Sequence, residues 1–179
     1  MLKKILIGIA ILLVAFVVVV ALQPSEFSVT RSATMAAAPE TVFAQVDDFH
    51  KWQAWSPWEK IDPEMERTFE GEPAGAGAVY SWVGNSDVGE GSMTITESRP
   101  SELIRIKLEF IKPMAGTSDT EFTFKPDGDG TAVTWNMTGE NNFMAKAICL
   151  FMDMDEMIGG PFEEGLANLK SVVETEDTK

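Results

Sequence analysis

From Glu64 to Thr138, apolar and polar residues alternate with a period of two almost without interruption. That pattern admits few folds other than an antiparallel sheet with one buried face. Tyr80 and Trp82 share a face, and Gly84-Asn85 ends their strand. Met93 and Ile95 point one way, while Ser92, Thr94 and Thr96 point the other. Ile104, Ile106, Leu108 and Phe110 alternate with Arg105, Lys107 and Glu109 in the cleanest amphipathic strand of the chain. Phe122 and Phe124 oppose Glu121, Thr123 and Lys125, and Val133, Trp135 and Met137 oppose Thr134, Asn136 and Thr138. Pro126-Asp127-Gly128-Asp129-Gly130 supplies the hairpin turn between the last two runs. Consecutive strands, each with one wet face, predict a meander.

The flanks supply the second layer. Phe27 to Met35 alternates as a half-buried strand should, and Ala38 to Val46 reads as a helix with Pro39 in its first turn, where the missing N–H costs nothing. Next comes Asp48 to Lys60, which holds three of the five tryptophans, Trp52, Trp55 and Trp58. Each such ring buries roughly 150–250 Å², so the stretch either plugs a core or lines the mouth of an apolar cavity. Pro57 biases Ser56 away from helical geometry, which predicts a short helix ending in a tight aromatic corner. After Thr138 the period becomes helical: Phe143, Ala147, Leu150, Phe151, Met154, Ile158, Phe162, Leu166, Leu169 and Val173 follow steps of three and four. Gly159-Gly160-Pro161 interrupts this series, so either the helix kinks there or a fresh one starts at Pro161. One large apolar helix on one curved antiparallel sheet is a two-layer α+β solution.

Ile5 to Leu22 is an unbroken apolar run of 18 residues preceded by Lys3 and Lys4, long enough to span a hydrocarbon core of about 30 Å. The exit Val19-Val20-Ala21-Leu22-Gln23-Pro24 lacks a good small-x-small cleavage site, so a retained anchor is expected rather than a secretory signal. Positive charge lies on the short N-terminal side, and the next cation is Arg31. The expected topology is therefore single-pass, with the N-terminus cytoplasmic and the domain outside, periplasmic or extracellular. Three segments follow: anchor and linker over 1–24, a folded domain over 25–174, and a polar tail over 175–179. The chain holds 14 Lys+Arg against 28 Asp+Glu; without Lys3 and Lys4, 12 cations face 28 acids, a net −16. So acidic a body is repelled by phosphate backbones, and no nucleic-acid partner is expected.

Several motifs carry a family resemblance. The Ala38-Pro39-Glu40-Thr41-Val42-Phe43 segment, Asp48-Phe49-His50-Lys51-Trp52 with Trp55-Ser56-Pro57-Trp58, Gly75-Ala76-Gly77-Ala78-Val79-Tyr80-Ser81-Trp82, Thr131-Ala132-Val133-Thr134-Trp135 and Gly165-Leu166-Ala167-Asn168-Leu169-Lys170 together resemble the START-like or SRPBCC superfamily, in its polyketide cyclase/dehydrase and lipid-transport branch. The resemblance covers about residues 27–173. It implies a helix-grip fold, a sheet wrapped round the C-terminal helix with an apolar cavity between them. No cofactor is expected. Gly159-Gly160-Pro161 departs from the usual unbroken helix. The superfamily includes carriers and enzymes alike, so the resemblance implies fold more than activity.

No catalytic motif emerges from the residues themselves. His50 is the sole histidine and reads as a surface residue rather than the base of a triad. Zincin, zinc-ribbon and P-loop spacings are missing. Cys149, the single cysteine, reads as a buried inert thiol, and no metal site is expected. Gly75-Ala76-Gly77 leads into a strand and reads as a turn, and Asp127-Gly128-Asp129-Gly130 lacks the further ligands of a calcium loop. Asp153, Asp155 and Glu156 read as a solvated helix face; the alternative is an acid turned inward to serve as a general acid. Trp55, Trp58, Tyr80, Trp82, Phe110, Trp135, Met137, Phe151 and Met154 are the expected lining of an apolar cavity. The functional expectation is membrane-anchored binding of a hydrophobic small molecule or lipid. The alternatives are a cyclase/dehydrase-like enzyme using a cavity acid and an interaction module with a filled core.

Overall fold

The alternating runs become seven strands of one antiparallel sheet, ordered β1-β7-β6-β5-β4-β3-β2, in a computed structural model that describes residues 1–176. The strands are β1 Glu26–Met35, β2 Glu66–Gly71, β3 Ala78–Val83, β4 Glu90–Arg99, β5 Leu103–Lys112, β6 Gly116–Asp127 and β7 Gly130–Glu140. Consecutive hairpins join β2 through β7, as the meander requires, and β1 adds to β7 at the far edge. The helices are α1 Leu2–Ala21, α2 Pro39–Val46, α3 Trp58–Ile61, α4 Phe143–Cys149 and α5 Met154–Glu176, with a 3-10 turn at Phe49–Ala54. Among the described residues α1 is the one helix long and apolar enough to cross a membrane. The fold is α+β: a curved antiparallel sheet gripping a long C-terminal helix.

Helix α5 runs along β1. Its second part buries Phe162, Leu166, Leu169 and Val173 completely or nearly so, and Lys170 Nζ donates to the Thr34 carbonyl at 2.7 Å. One alternative from the sequence is corrected here: no fresh helix starts at Pro161, because α5 continues through it, and the helical series breaks instead at 150–153, between α4 and α5. Caps place that break. Asn142 Oδ1 accepts the Ala145 N–H at 2.9 Å to start α4, and Asp153 Oδ1 accepts the Asp155 N–H at 2.8 Å to start α5. At its C-terminal end α5 extends to Glu176, and the rest of the polar tail, 177–179, lies outside the described residues.

The sheet's inward face is not uniformly closed. Toward the end capped by α2 and the 3-10 turn, Ile95, Ile104, Ile106, Phe122, Phe124 and Val133 are all at most 3% exposed. The opposite end is where β1 begins and β7 stops, since Glu26 pairs with Glu140. There the inward-facing Met93, Leu108 and Phe110 are only partly buried. On β6 the same inward row changes from Phe122 and Phe124 to the buried hydroxyl residues Ser118 and Thr120. The inward face is thus fully buried at one end and only partly buried at the other.

Candidate functional site

The aromatic corner forms the middle of that interior. Asp48 caps the 3-10 turn by accepting the His50 N–H at 2.9 Å, and Pro57 stands just before α3. Trp52 Nε1 donates to the Val46 carbonyl at 3.0 Å and Trp55 Nε1 to the Gln45 carbonyl at 3.1 Å. Both are carbonyls at the C-terminal end of α2, which lack helical partners, so two buried indoles and two orphan acceptors satisfy one another. The rings then meet Trp135. Its centroid lies 4.0 Å from Phe162 in a parallel stack, 4.6 Å from Phe122, 5.8 Å from Trp55 and 5.9 Å from Trp58. Trp135 Nε1 itself is a buried donor with no hydrogen-bond acceptor among the described residues.

Beside this cluster lies a polar group that the sequence pattern did not reveal. Glu59, on α3, accepts from Tyr80 Oη at 2.8 Å through one oxygen and from Arg67 Nε at 2.7 Å through the other. The Glu59 and Arg67 side chains are only 8% and 15% exposed. Burial, and then the bond to Glu59, push the Tyr80 phenol well above its ordinary value of 10.0. Burial disfavours the Arg67 charge, but Glu59 outweighs it and holds the guanidinium above its ordinary value. The network ties α3, and with it Trp58, to β2 and β3. The available signal was Arg67, which occupies an inward position opposite Trp82.

A second inward charge, Arg31, sits on the apolar face of β1 directly opposite Trp135. It reaches α5, where it bonds Asp155 at 2.8 Å and Glu163 at 2.6 Å. These bonds raise the arginine and, reciprocally, hold the Asp155 carboxyl below its ordinary value. Gly159 makes the crossing possible, because a Cβ there would collide with the Arg31 guanidinium. The acidic cluster around Asp155 is therefore structural: Asp153 caps α5, Asp155 pairs with Arg31, and all three of Asp153, Asp155 and Glu156 are exposed. None is turned into the interior as a general acid would be.

The structure brings most of the expected lining residues together. Trp55, Tyr80 and Trp135 lie within the ring cluster, and Trp58 packs against Trp135 and Phe162. Trp82 and Phe110 meet edge-on at 6.2 Å toward the partly buried end, and Met137 is buried on the Trp135 face of β7. Met154, the first residue of α5, is partly buried. Phe151 is the exception. It falls in the turn after α4 and is 80% exposed, because the helical series that was to carry it inward ends at Cys149. Cys149 is partly exposed rather than sealed.

His50 lies outside this interior. Its ring stacks on Phe69 at 4.2 Å, and Nδ1 lies 2.9 Å from Asp48 Oδ1. It borders an open surface depression of about 580 Å³ with Gln45, Lys51, Gln53, Ala54 and Val172. Its partners include neither a serine nor a cysteine to serve as a nucleophile. Among the described residues, no group of three or more His, Cys, Asp or Glu side chains is placed to hold a metal ion.

The architecture has many solved counterparts. It is similar to protein CV1439 from Chromobacterium violaceum, with 19% identity and a TM-score of 0.58 over 84% of this chain and 99% of that one. It is similar to Aha1 from Colwellia psychrerythraea, solved as a dimer, with 13% identity and a TM-score of 0.59 over 83% of this chain and 96% of that one. The di-domain ARO/CYC StfQ from the steffimycin biosynthetic pathway aligns with 10% identity and a TM-score of 0.62 over 87% of this chain and 53% of that one. At such identities the likeness concerns the fold alone. No curated protein matches the chain. A family model described as polyketide cyclase / dehydrase and lipid transport matches residues 26–174, which is the whole of the sheet and nearly all of α5. The chain accordingly belongs to the polyketide cyclase/dehydrase and lipid transport family.

Proposed function

We propose that the domain binds a hydrophobic small molecule or lipid between the sheet and α5, and that α1 is retained as a single-pass anchor with the N-terminus in the cytoplasm. The carrying observation is the gradient of burial along the inward face. Met93, Leu108 and Phe110 keep part of their surface although they point inward, while the other end is fully buried. An apolar, inward-facing surface that is incompletely covered is what a ligand of matching chemistry can complete. Trp82, Phe110, Met137 and Met154 line this open part in our reading. Trp58 stands at its edge, and Trp55, Tyr80 and Trp135 are its packed floor. The family description, which joins lipid transport to cyclase chemistry, supports the same reading.

The test is native mass spectrometry of the full chain released from nanodiscs, together with titration by the apolar dye anilinonaphthalene sulfonate. A copurifying lipid or saturable dye binding, both lost in Phe110→Arg, is expected. A parent protein that carries nothing and binds no dye would refute the proposal, leaving a filled domain used for contacts.

A further inference from the structure

The C-terminal end of α1 does not stand clear of the domain. Val20 is fully buried, and α1 packs against α4. The connection is reinforced just beyond it: the Asn141 N–H donates to the Ser25 carbonyl at 2.6 Å, and Lys146 Nζ on α4 donates to Ser25 Oγ at 2.8 Å. Helix α4 is thereby pinned within a few residues of the point where α1 ends. Yet its own surface is apolar and uncovered. Phe143, Met144 and Ile148 on α4, and Phe151 and Met152 in the turn after it, are all exposed, beside the contact of α4 with α1. Residues 141–152 contain one charge, the cation Lys146, in a domain that is otherwise strongly acidic.

We infer that α4 and the turn after it are seated in the interfacial region of the same bilayer that α1 crosses, with Phe151 and Met144 among the lipid chains. This rests on the reading of α1 as a retained anchor. A helix with an apolar face opposite a polar, cation-bearing one lies in the interface plane, its apolar face buried about 5–10 Å into the headgroup–acyl boundary, and Lys146 is the cation here. The attachment to α1 supplies the second constraint, because it holds α4 at the depth where the anchor leaves the hydrocarbon. The seat also orients the domain. α4 follows β7 directly, at the partly buried end of the sheet where β1 begins. The uncovered interior residues Leu108 and Phe110 then face the membrane, so a lipid passes between bilayer and domain without crossing bulk water.

The test uses the full chain in phosphatidylcholine nanodiscs. In a Cys149→Ser background, single nitroxide labels are placed through Val14→Cys, Met144→Cys, Phe151→Cys and Lys125→Cys. All four positions are exposed, so the labels need no repacking. Accessibility is read with oxygen, which partitions into lipid, and with a water-soluble nickel chelate. Labels at 14, 144 and 151 are expected to favour oxygen, and the label at 125, on the far end of the sheet, to favour nickel. If 144 and 151 behave like 125 while 14 remains in lipid, the anchor stands and the seating of α4 is overturned. If 14 is itself in water, the anchor reading fails and the inference with it.

Discussion

Trp135 offers the sharpest test of how the interior is built. It is 2% exposed, with Phe162, Phe122, Trp55, Trp58 and, at 6.4 Å, Trp52 around it. Truncation of a large buried aromatic to alanine costs about 3–5 kcal/mol. Aromatic pairs add about 0.5–1.5 kcal/mol each beyond area burial, though not additively. Five ring neighbours therefore place Trp135→Ala at the upper end, near 5 kcal/mol. Trp135→Phe acts differently. It keeps a six-membered ring for the Phe162 stack and removes an indole N–H that has no acceptor. An unsatisfied buried donor carries a desolvation cost of about 1–3 kcal/mol, and its loss offsets the few carbons removed. The net change expected for Trp135→Phe is within about 1 kcal/mol of the parent. Urea unfolding of the full chain in a nonionic detergent, followed by far-ultraviolet circular dichroism, measures both. A cost for Trp135→Ala below about 2 kcal/mol would mean that the ring borders open space rather than other rings. A Trp135→Phe cost equal to that of Trp135→Ala would mean that Nε1 has an acceptor and that the pairing argument is wrong.

Gly91→Ala would place a Cβ 2.6 Å from Trp82 Cζ2 and 2.6 Å from the Glu109 carbonyl oxygen; overpacking of this kind costs about 1–3 kcal/mol, measurable by the same urea titration, whereas Gly116→Ala, with nothing within 4 Å, should be close to neutral. Asp155 and Glu174 are held below their ordinary values of 3.8 and 4.5, the first by the Arg31 bond and the second by the Ala36 N–H. Depressed carboxylates stabilise above their unfolded values and lose that contribution as pH falls through the folded ones. Protection against hydrogen exchange, measured relative to intrinsic amide rates, should therefore fall as pH drops below 3.8 at the start of α5 and below 4.5 at its end, and Asp155→Asn should remove the acid dependence at the α5 start only. Tyr80, the sole tyrosine, is raised above 10.0, so its contribution is intact below that pH and disappears as pH climbs through the raised value. Ultraviolet difference spectra should show tyrosinate forming only well above pH 10.0; ordinary titration in the folded protein would contradict the Glu59 bond.

The strand alternation made the sheet legible because each inward row, such as Ile104, Ile106, Leu108 and Phe110, is local in sequence. The tryptophan corner was legible for the same reason. Its function as a packed floor was not, since Trp135 and Phe162 join it from far along the chain. The break at 150–153 is not legible in the sequence, where Gly159-Gly160-Pro161 is the stronger interruption. Gly159 is small because Arg31 passes over it, which only the pairing of β1 with α5 reveals. A hint was present: Arg31 falls in the apolar phase of its strand. The Glu59–Tyr80–Arg67 network joins residues up to 21 apart in sequence and depends on the β2–β3 register, which alternation alone does not set.

The shortness of the connection between α1 and β1 restricts how far the domain can move from α1. Only Leu22 to Ser25 separates the two elements, at most about 14 Å of extended chain, and Ser25 is itself held by Asn141 and Lys146. With α1 in a bilayer as proposed, a domain on so short a leash would work at one membrane and would not ferry a ligand across an aqueous gap. A ligand bound as proposed would return to that leaflet or pass to a partner that comes to it.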